Sequence, residues 1–203
     1  RSFKRFAIVG VALMSLVETG FSQSADRINV VTTAVPFLRM SPDARAGGMG
    51  DVGVATSPDA NSQFYNLAKY PFNKNPGGLS LTYTPWLKDL GLNDVYLASL
   101  AGYYKIDEQQ SISASLRYFS LGNIQFTDAL GNDLNSFRPR EVGVDVGYSR
   151  KLSDHLSVGV ALRYINSNLA GGAAVNGVSY KAGSAVAGDI GLFYTTANES
   201  GQG

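Results

Sequence analysis

Gly48-Met49-Gly50-Asp51-Val52-Gly53 has the G-x-G-x-x-G spacing of a turn that cradles a dinucleotide pyrophosphate. That chemistry needs a buried strand before the first glycine, a helix after the last, and an acidic residue about 20 positions on. Here the glycines follow a helix start, Pro42-Asp43-Ala44-Arg45-Ala46, and Pro58 interrupts what comes after Gly53. They are read instead as points where a plug packs tightly against a wall, and no nucleotide is expected. His155 is the single histidine and has Asp154 beside it, but neighbours on a strand or turn point apart, and spacing brings no nucleophile to it. With no cysteine, thiolate chemistry, disulfides and Cys-ligated metals fall away together, and one histidine cannot build a multi-histidine metal site. The chain is therefore expected to have no catalytic residue, cofactor or metal, and not to be an enzyme.

The other polar constellation is Arg117, Asp145, Arg163 and Asp189, with Glu141 as a further carboxylate. A guanidinium on the inner side of a wall is poorly solvated and pairs with a carboxylate, so these residues are expected to form a structural network in a lumen. Ligand contact is the alternative. Net charge is +1 from 17 basic and 16 acidic residues, with no basic cluster beyond the first five positions, so no nucleic-acid partner is expected.

The elements that would carry these residues read as strands. Ile112, Ala114, Leu116 and Tyr118 alternate with Ser113, Ser115, Arg117 and Phe119. The same alternation recurs in "REVGVDVGYS", "LSVGVALRY" and "AVAGDIGLFY", giving six strands at about 78–84, 94–104, 110–121, 138–150, 156–166 and 184–195. "KIDEQQSISASLRY" at 105–118 aligns with "KLSDHLSVGVALRY" at 151–164, an offset that fits a repeated β-hairpin. Short turns at 105–109 and 151–155 contrast with long connections at 85–93, 121–137 and 166–182. Tyr and Phe gather at strand ends, as in the aromatic girdles of an outer-membrane barrel.

The chain opens with a basic Arg1-Ser2-Phe3-Lys4-Arg5, an apolar run from Phe6 to Val17 and small residues to Ala25, the pattern of a signal peptide over 1–24. Residues 25–77 lack alternation and carry two helix starts, Ser41-Pro42-Asp43 and Ser57-Pro58-Asp59, with Ser expected at the N-cap and Pro at the first helical position. This stretch is expected to be a hatch or plug. Residues 78–203 are expected to be the N-terminal part of an antiparallel all-β transmembrane barrel whose C-terminal strands are missing, because six strands are fewer than the eight of the smallest bacterial barrels.

"AVPFLRMSPDARAGGMGDVGVATSPDANSQFYNLAKYPF", followed by a Gly-Leu strand, resembles the N-terminal region of the PorV family, outer-membrane proteins of the type IX secretion system of Bacteroidota related to FadL-like transporters. The related barrels commonly carry Asn-Pro-Ala where this chain has Asn66-Leu67-Ala68. The resemblance implies a 14-stranded FadL-like barrel in the cell outer membrane. It also implies a shuttle that meets the translocon barrel (SprA, also called Sov), binds the C-terminal domain of secreted cargo, and delivers it to the PorU-containing attachment complex.

With the hatch starting in the periplasm, the long connections face outward. Trp86, Leu87, Leu90, Ile124, Phe126 and Phe137 lie there in polar company, a composition suited to partner binding. Membrane lipid is the expected partner of the strands. A FadL-like channel for hydrophobic small molecules is the alternative function.

Overall fold

The computed structural model describes residues 35–127, 131, 133–169, 174–175, 178–179 and 182–196. The expected signal peptide at 1–24 and residues 25–34 of the expected plug lie outside the described residues. In chain order the strands are β1 (Gly77–Pro85), β2 (Val95–Lys105), β3 (Gln110–Leu121), β4 (Ile124–Thr127), β5 (Asp133–Phe137), β6 (Arg140–Lys151), β7 (Leu156–Asn168), β8 (Ala174–Val175), β9 (Val178–Ser179) and β10 (Gly183–Tyr194). The six long strands form one antiparallel sheet, ordered β1-β2-β3-β6-β7-β10. Among the described residues this sheet is open, with β1 and β10 at its edges.

The two repeats at 105–118 and 151–164 fold alike. Ile106 N–H donates to Gln110 O at 2.9 Å and Leu152 N–H to Leu156 O at 2.7 Å, closing the same turn twice. The local chemistry differs. The Asp107 carboxylate accepts from the amides of Gln109 and Gln110, which holds its pKa below the usual carboxylate range, whereas the Ser153 hydroxyl oxygen accepts from His155 and Leu156. The long connections are less irregular than the sequence implied. Within 121–137, β4 and β5 make a separate hairpin with a register shift between Gln125 and Thr127, and β8 and β9 pair inside 166–182. Strands of two to five residues give too few alternations to stand out from a loop.

Both expected helix starts hold helical turns, but the caps sit two residues further on. Asp43 caps α1 (Ala44–Gly48), its carboxylate accepting from the amides of Arg45 and Ala46. Asp59 caps a 3-10 turn at Ala60–Phe64 and forms a reciprocal box with Ser62. A carboxylate accepts from the exposed amides of a first turn with a full charge, so Asp displaces Ser as the cap. Pro42 and Pro58 then stand before the cap. Ser41 instead donates to Asp43 O and hydrogen-bonds the Tyr65 hydroxyl.

Two further 3-10 turns, Pro36–Arg39 and Leu67–Phe72, complete the segment over 35–76, which packs on one face of the sheet. Phe37 lies with Leu97, Phe119 and Ile165 in one buried cluster, and Leu67 and Tyr70 with Tyr103 and Ala161 in another. The Tyr70 and Tyr103 rings stack at 4.6 Å.

Polarity across this sheet is inverted relative to a water-soluble one. The covered face carries Ser99, Ser111, Ser113, Ser115, Arg117, Glu141, Asp145, Ser149 and Ser157, all buried. The opposite face carries Leu79, Leu81, Ile112, Leu116, Val144, Val146, Val160, Leu162, Ile190 and Leu192, all exposed. Burying a hydroxyl or charge is unfavourable unless it is paired, and leaving a leucine in water forgoes roughly 2 kcal/mol, so both halves of this arrangement need an explanation.

Candidate functional site

Asp145, on the central strand β6, is fully buried. It is flanked by the two repeat-related arginines, Arg117 on β3 and Arg163 on β7. Arg163 stands opposite it in register, and its Nε donates to the Asp145 carboxylate. Arg117 Nη2 lies 3.7 Å from the other carboxylate oxygen, which also accepts from Ser115 Oγ at 2.7 Å. Arg163 Nη2 continues to Asp189 on β10 at 3.2 Å. The structure thus brings Arg117, Asp145, Arg163 and Asp189 into one chain of alternating charge across four strands. Glu141 stays apart and accepts from Ser167 Oγ at 2.7 Å.

Two cations against two carboxylates leave the group neutral. Arg117 also reaches the covering segment: its Nη1 donates to Leu38 O at 3.1 Å and its guanidinium lies 5.0 Å from the centre of the Phe64 ring, while its buried Nε has no hydrogen-bond partner. The arrangement can hold two separate turns of the segment against the wall. The repeat supplies a second grip through Lys105 and Lys151, at equivalent positions. Lys105 Nζ donates to Asn73 O at 3.2 Å, and Lys151 Nζ lies over the neighbouring Phe72 ring at 4.9 Å.

The glycines that seat the segment are not those of 47–53. A Cβ on Gly48 or Gly50 would meet nothing within 4 Å; Gly50 serves a left-handed turn at φ +80, and Gly53 packs on the Tyr65 ring inside the segment itself. The close approaches are on the wall. A Cβ on Gly147 would stand 2.7 Å from Leu67, on Gly159 2.8 Å from Leu67 and 3.0 Å from Ala68 N, and on Gly191 2.6 Å from Asn66 Oδ1. The tiny residues in the alternation are therefore the floor on which Asn66-Leu67-Ala68 sits. Asn66 also reaches β10, its Nδ2 donating to Leu192 O at 2.9 Å.

Lys69 is the segment's least expected residue. It is buried, and its Nζ donates to Gly53 O at 2.6 Å and to Thr56 Oγ1 at 3.2 Å. Burial pulls its pKa below the ordinary lysine value, with Asp59 acting in the opposite sense. Burial likewise raises the pKa values of Tyr65 and Tyr70, whose hydroxyls bond Ser41 and Ala60 O respectively. The repeat marked Lys105 and Lys151 as equivalent but not their grip on the segment, and Lys69 did not stand out in the sequence, because a lone lysine carries no spacing signal.

His155 is exposed in the turn after β6, with Nδ1 3.0 Å from Thr195 O. All three long connections leave the sheet at the end opposite the short turns, since β1, β3 and β7 finish there and β2, β6 and β10 begin there. Trp86 packs edge-on against Phe119 at 6.2 Å and keeps part of its ring exposed. Leu87, Leu90, Leu92, Ile124 and Phe126 are exposed, and Phe137 is half-buried opposite Ile124. Leu87 holds a left-handed backbone at φ 54, a conformation that bulky residues seldom adopt. This end of the molecule is an apolar rim on polar loops.

Together these features define a class: an inside-out antiparallel sheet whose polar face is filled by the chain's own N-terminal segment. A family model described as type IX secretion system protein PorV matches residues 22–201, and the chain belongs to that family. No curated protein matches the chain.

Proposed function

We propose that the chain is a non-enzymatic outer-membrane carrier of the type IX secretion system. In this reading the six strands are part of a closed 14-stranded FadL-like barrel. The observation that carries it is the inverted sheet, because an apolar face left bare over six strands matches a hydrocarbon surrounding, where backbone groups must also pair into a closed wall. On that face Tyr96 and Tyr104 stand eight residues apart on β2, with Tyr83, Tyr118 and Tyr164 nearer the loop end and Tyr148 and Tyr194 nearer the turn end. Two aromatic bands flanking an aliphatic middle fit the interfaces of a bilayer.

The segment over 35–76 stays seated and fills the lumen, and the protein works from its loop end. There Trp86, Leu87, Leu90, Ile124, Phe126 and Phe137 meet the C-terminal domain of secreted cargo and the translocon barrel (SprA or Sov), before transfer to the PorU-containing attachment complex. Apolar anchors in a polar rim support this assignment, since such side chains dominate protein interfaces at roughly 2 kcal/mol or more each.

The test replaces Trp86, Leu90, Ile124 and Phe126 by polar residues in the full-length protein. Secretion of cargo and uptake of a long-chain fatty acid are then measured in the same variants. The proposal expects a folded barrel with cargo retained inside the cell. Normal secretion with lost uptake would replace it by a channel for hydrophobic small molecules.

A further inference from the structure

Among the described residues, only two charged side chains lie on the apolar face of the six-stranded sheet, and both belong to one strand. Arg140 and Arg150 fall on the same exposed register of β6 as Val142, Val144, Val146 and Tyr148, at the first position and the last but one. Every other charged residue of these strands lies on the covered face: Lys105, Arg117, Glu141, Asp145, Lys151, Arg163 and Asp189.

A guanidinium is tolerated on an apolar face only where it finds water or an anion, and long basic side chains at such positions run along the apolar surface to reach one. Ten residues at about 3.4 Å each put the two arginines about 34 Å apart along the strand. Tilted by about 40°, that separation is about 26 Å of height, beside an apolar band about 25 Å tall in outer-membrane walls. Ser120, Tyr96 and Asn168 share the row of Arg140, and Gln110 shares that of Arg150, with Val158 on its other side and Tyr148 two residues away. Both arginines therefore have polar and aromatic neighbours, as at an interface, with aliphatic Val158 on one side of Arg150. Asp107, in the turn beside β3, is the acid within range of Arg150.

We propose that Arg140 and Arg150 bind lipid phosphates, one in each leaflet, and so fix the depth at which this wall sits in the membrane. The partner is the phosphodiester headgroup of a bilayer lipid, with anionic lipid preferred. This rests on the membrane reading above.

The absence of cysteine from these 203 residues allows a direct test in the full-length protein, with any cysteine elsewhere replaced by serine. Single cysteines at Val144 and Val146 receive an environment-sensitive fluorophore, and the protein is inserted into phosphatidylcholine vesicles with and without phosphatidylglycerol. Chain-brominated lipid should quench both labels. The preference for phosphatidylglycerol vesicles should fall about fivefold in each of Arg140→Gln and Arg150→Gln, the size expected for one basic side chain at an anionic surface. Arg140→Lys and Arg150→Lys should retain most of it. An unchanged preference in the Gln variants, with both labels still quenched, overturns the lipid contact and leaves the membrane reading standing. Loss of the preference in excess inorganic phosphate, but not in sodium chloride of equal ionic strength, makes these sites for free phosphate and overturns it too. Labels left unquenched by brominated chains overturn both the contact and the membrane reading.

Discussion

Arg117 Nη1 donates to the carbonyl oxygen of Leu38 across 3.1 Å, tying the middle of the sheet to the first turn of the segment that covers it. The bond depends on Asp145, because that carboxylate lies between Arg117 and Arg163 and offsets the burial of both. Removing one member of a buried ion group leaves an uncompensated charge, at about 3–5 kcal/mol. Asp145→Ala in the full-length protein should therefore lower unfolding stability by about that amount. Asp189→Ala, whose side chain is half exposed, should lose about 1 kcal/mol or less. Denaturant titration of both variants checks the order, and equal losses would contradict the network.

The wall glycines make a second prediction. On Gly159 a methyl group would meet Leu67 Cγ at 2.8 Å and the backbone of Ala68 at 3.0 Å, whereas on Gly183 it would meet nothing within 4 Å. Gly159→Ala should destabilise by roughly 1–3 kcal/mol through overpacking, and Gly183→Ala should be nearly neutral. Thermal unfolding of the two variants side by side distinguishes a close seat from a loose one.

Lys69 predicts a pH dependence. Burial lowers its pKa in the folded protein, so the unfolded chain holds the proton more tightly. Stability should then rise as pH increases from that lowered value towards 10.5, the window in which only the unfolded state stays protonated. Lys69→Met should flatten the rise. A denaturation midpoint measured against pH, identical in slope for both proteins, would remove Lys69 from the account.

Facing is tested at one position of β7. Val160 is exposed on the apolar face, and Val160→Arg should cost on the order of 2–4 kcal/mol of stability in a bilayer. Val160→Leu should be tolerated. Comparable folding of the Arg and Leu variants into vesicles would place that face outside the lipid.

How much of this was legible in the sequence follows from how far each interaction reaches. The six strands were, because period-2 alternation is a local property: Val142, Val144, Val146 and Tyr148 announce their face within eight residues. Repetition also marked Arg117 and Arg163 as equivalent, and Asp145 as a carboxylate on the same side. What the sequence hid was non-local. Nothing near Gly159 says that Leu67 will rest on it, and nothing near Lys69 names Gly53 O as its acceptor. The caps were misplaced for a different reason. Ser and Asp both cap helices, and the choice between them rests on the carboxylate's charge together with a non-local contact, Ser41 being drawn to Tyr65.

The central claim is that this protein carries cargo from its loop end while the segment stays seated, and a reversible lock tests it most directly. A Cβ on Gly191 lies 3.5 Å from Asn66 Cγ, close to where a cysteine sulfur at position 66 would stand, and the chain has no cysteine to interfere. The measurement is cargo secretion by full-length protein carrying Asn66→Cys and Gly191→Cys, before and after reduction, with each single variant as control. The account predicts secretion unchanged by the lock. Secretion that fails when the disulfide forms and returns when it is reduced would contradict it, because the segment would then have to leave the wall for the protein to work.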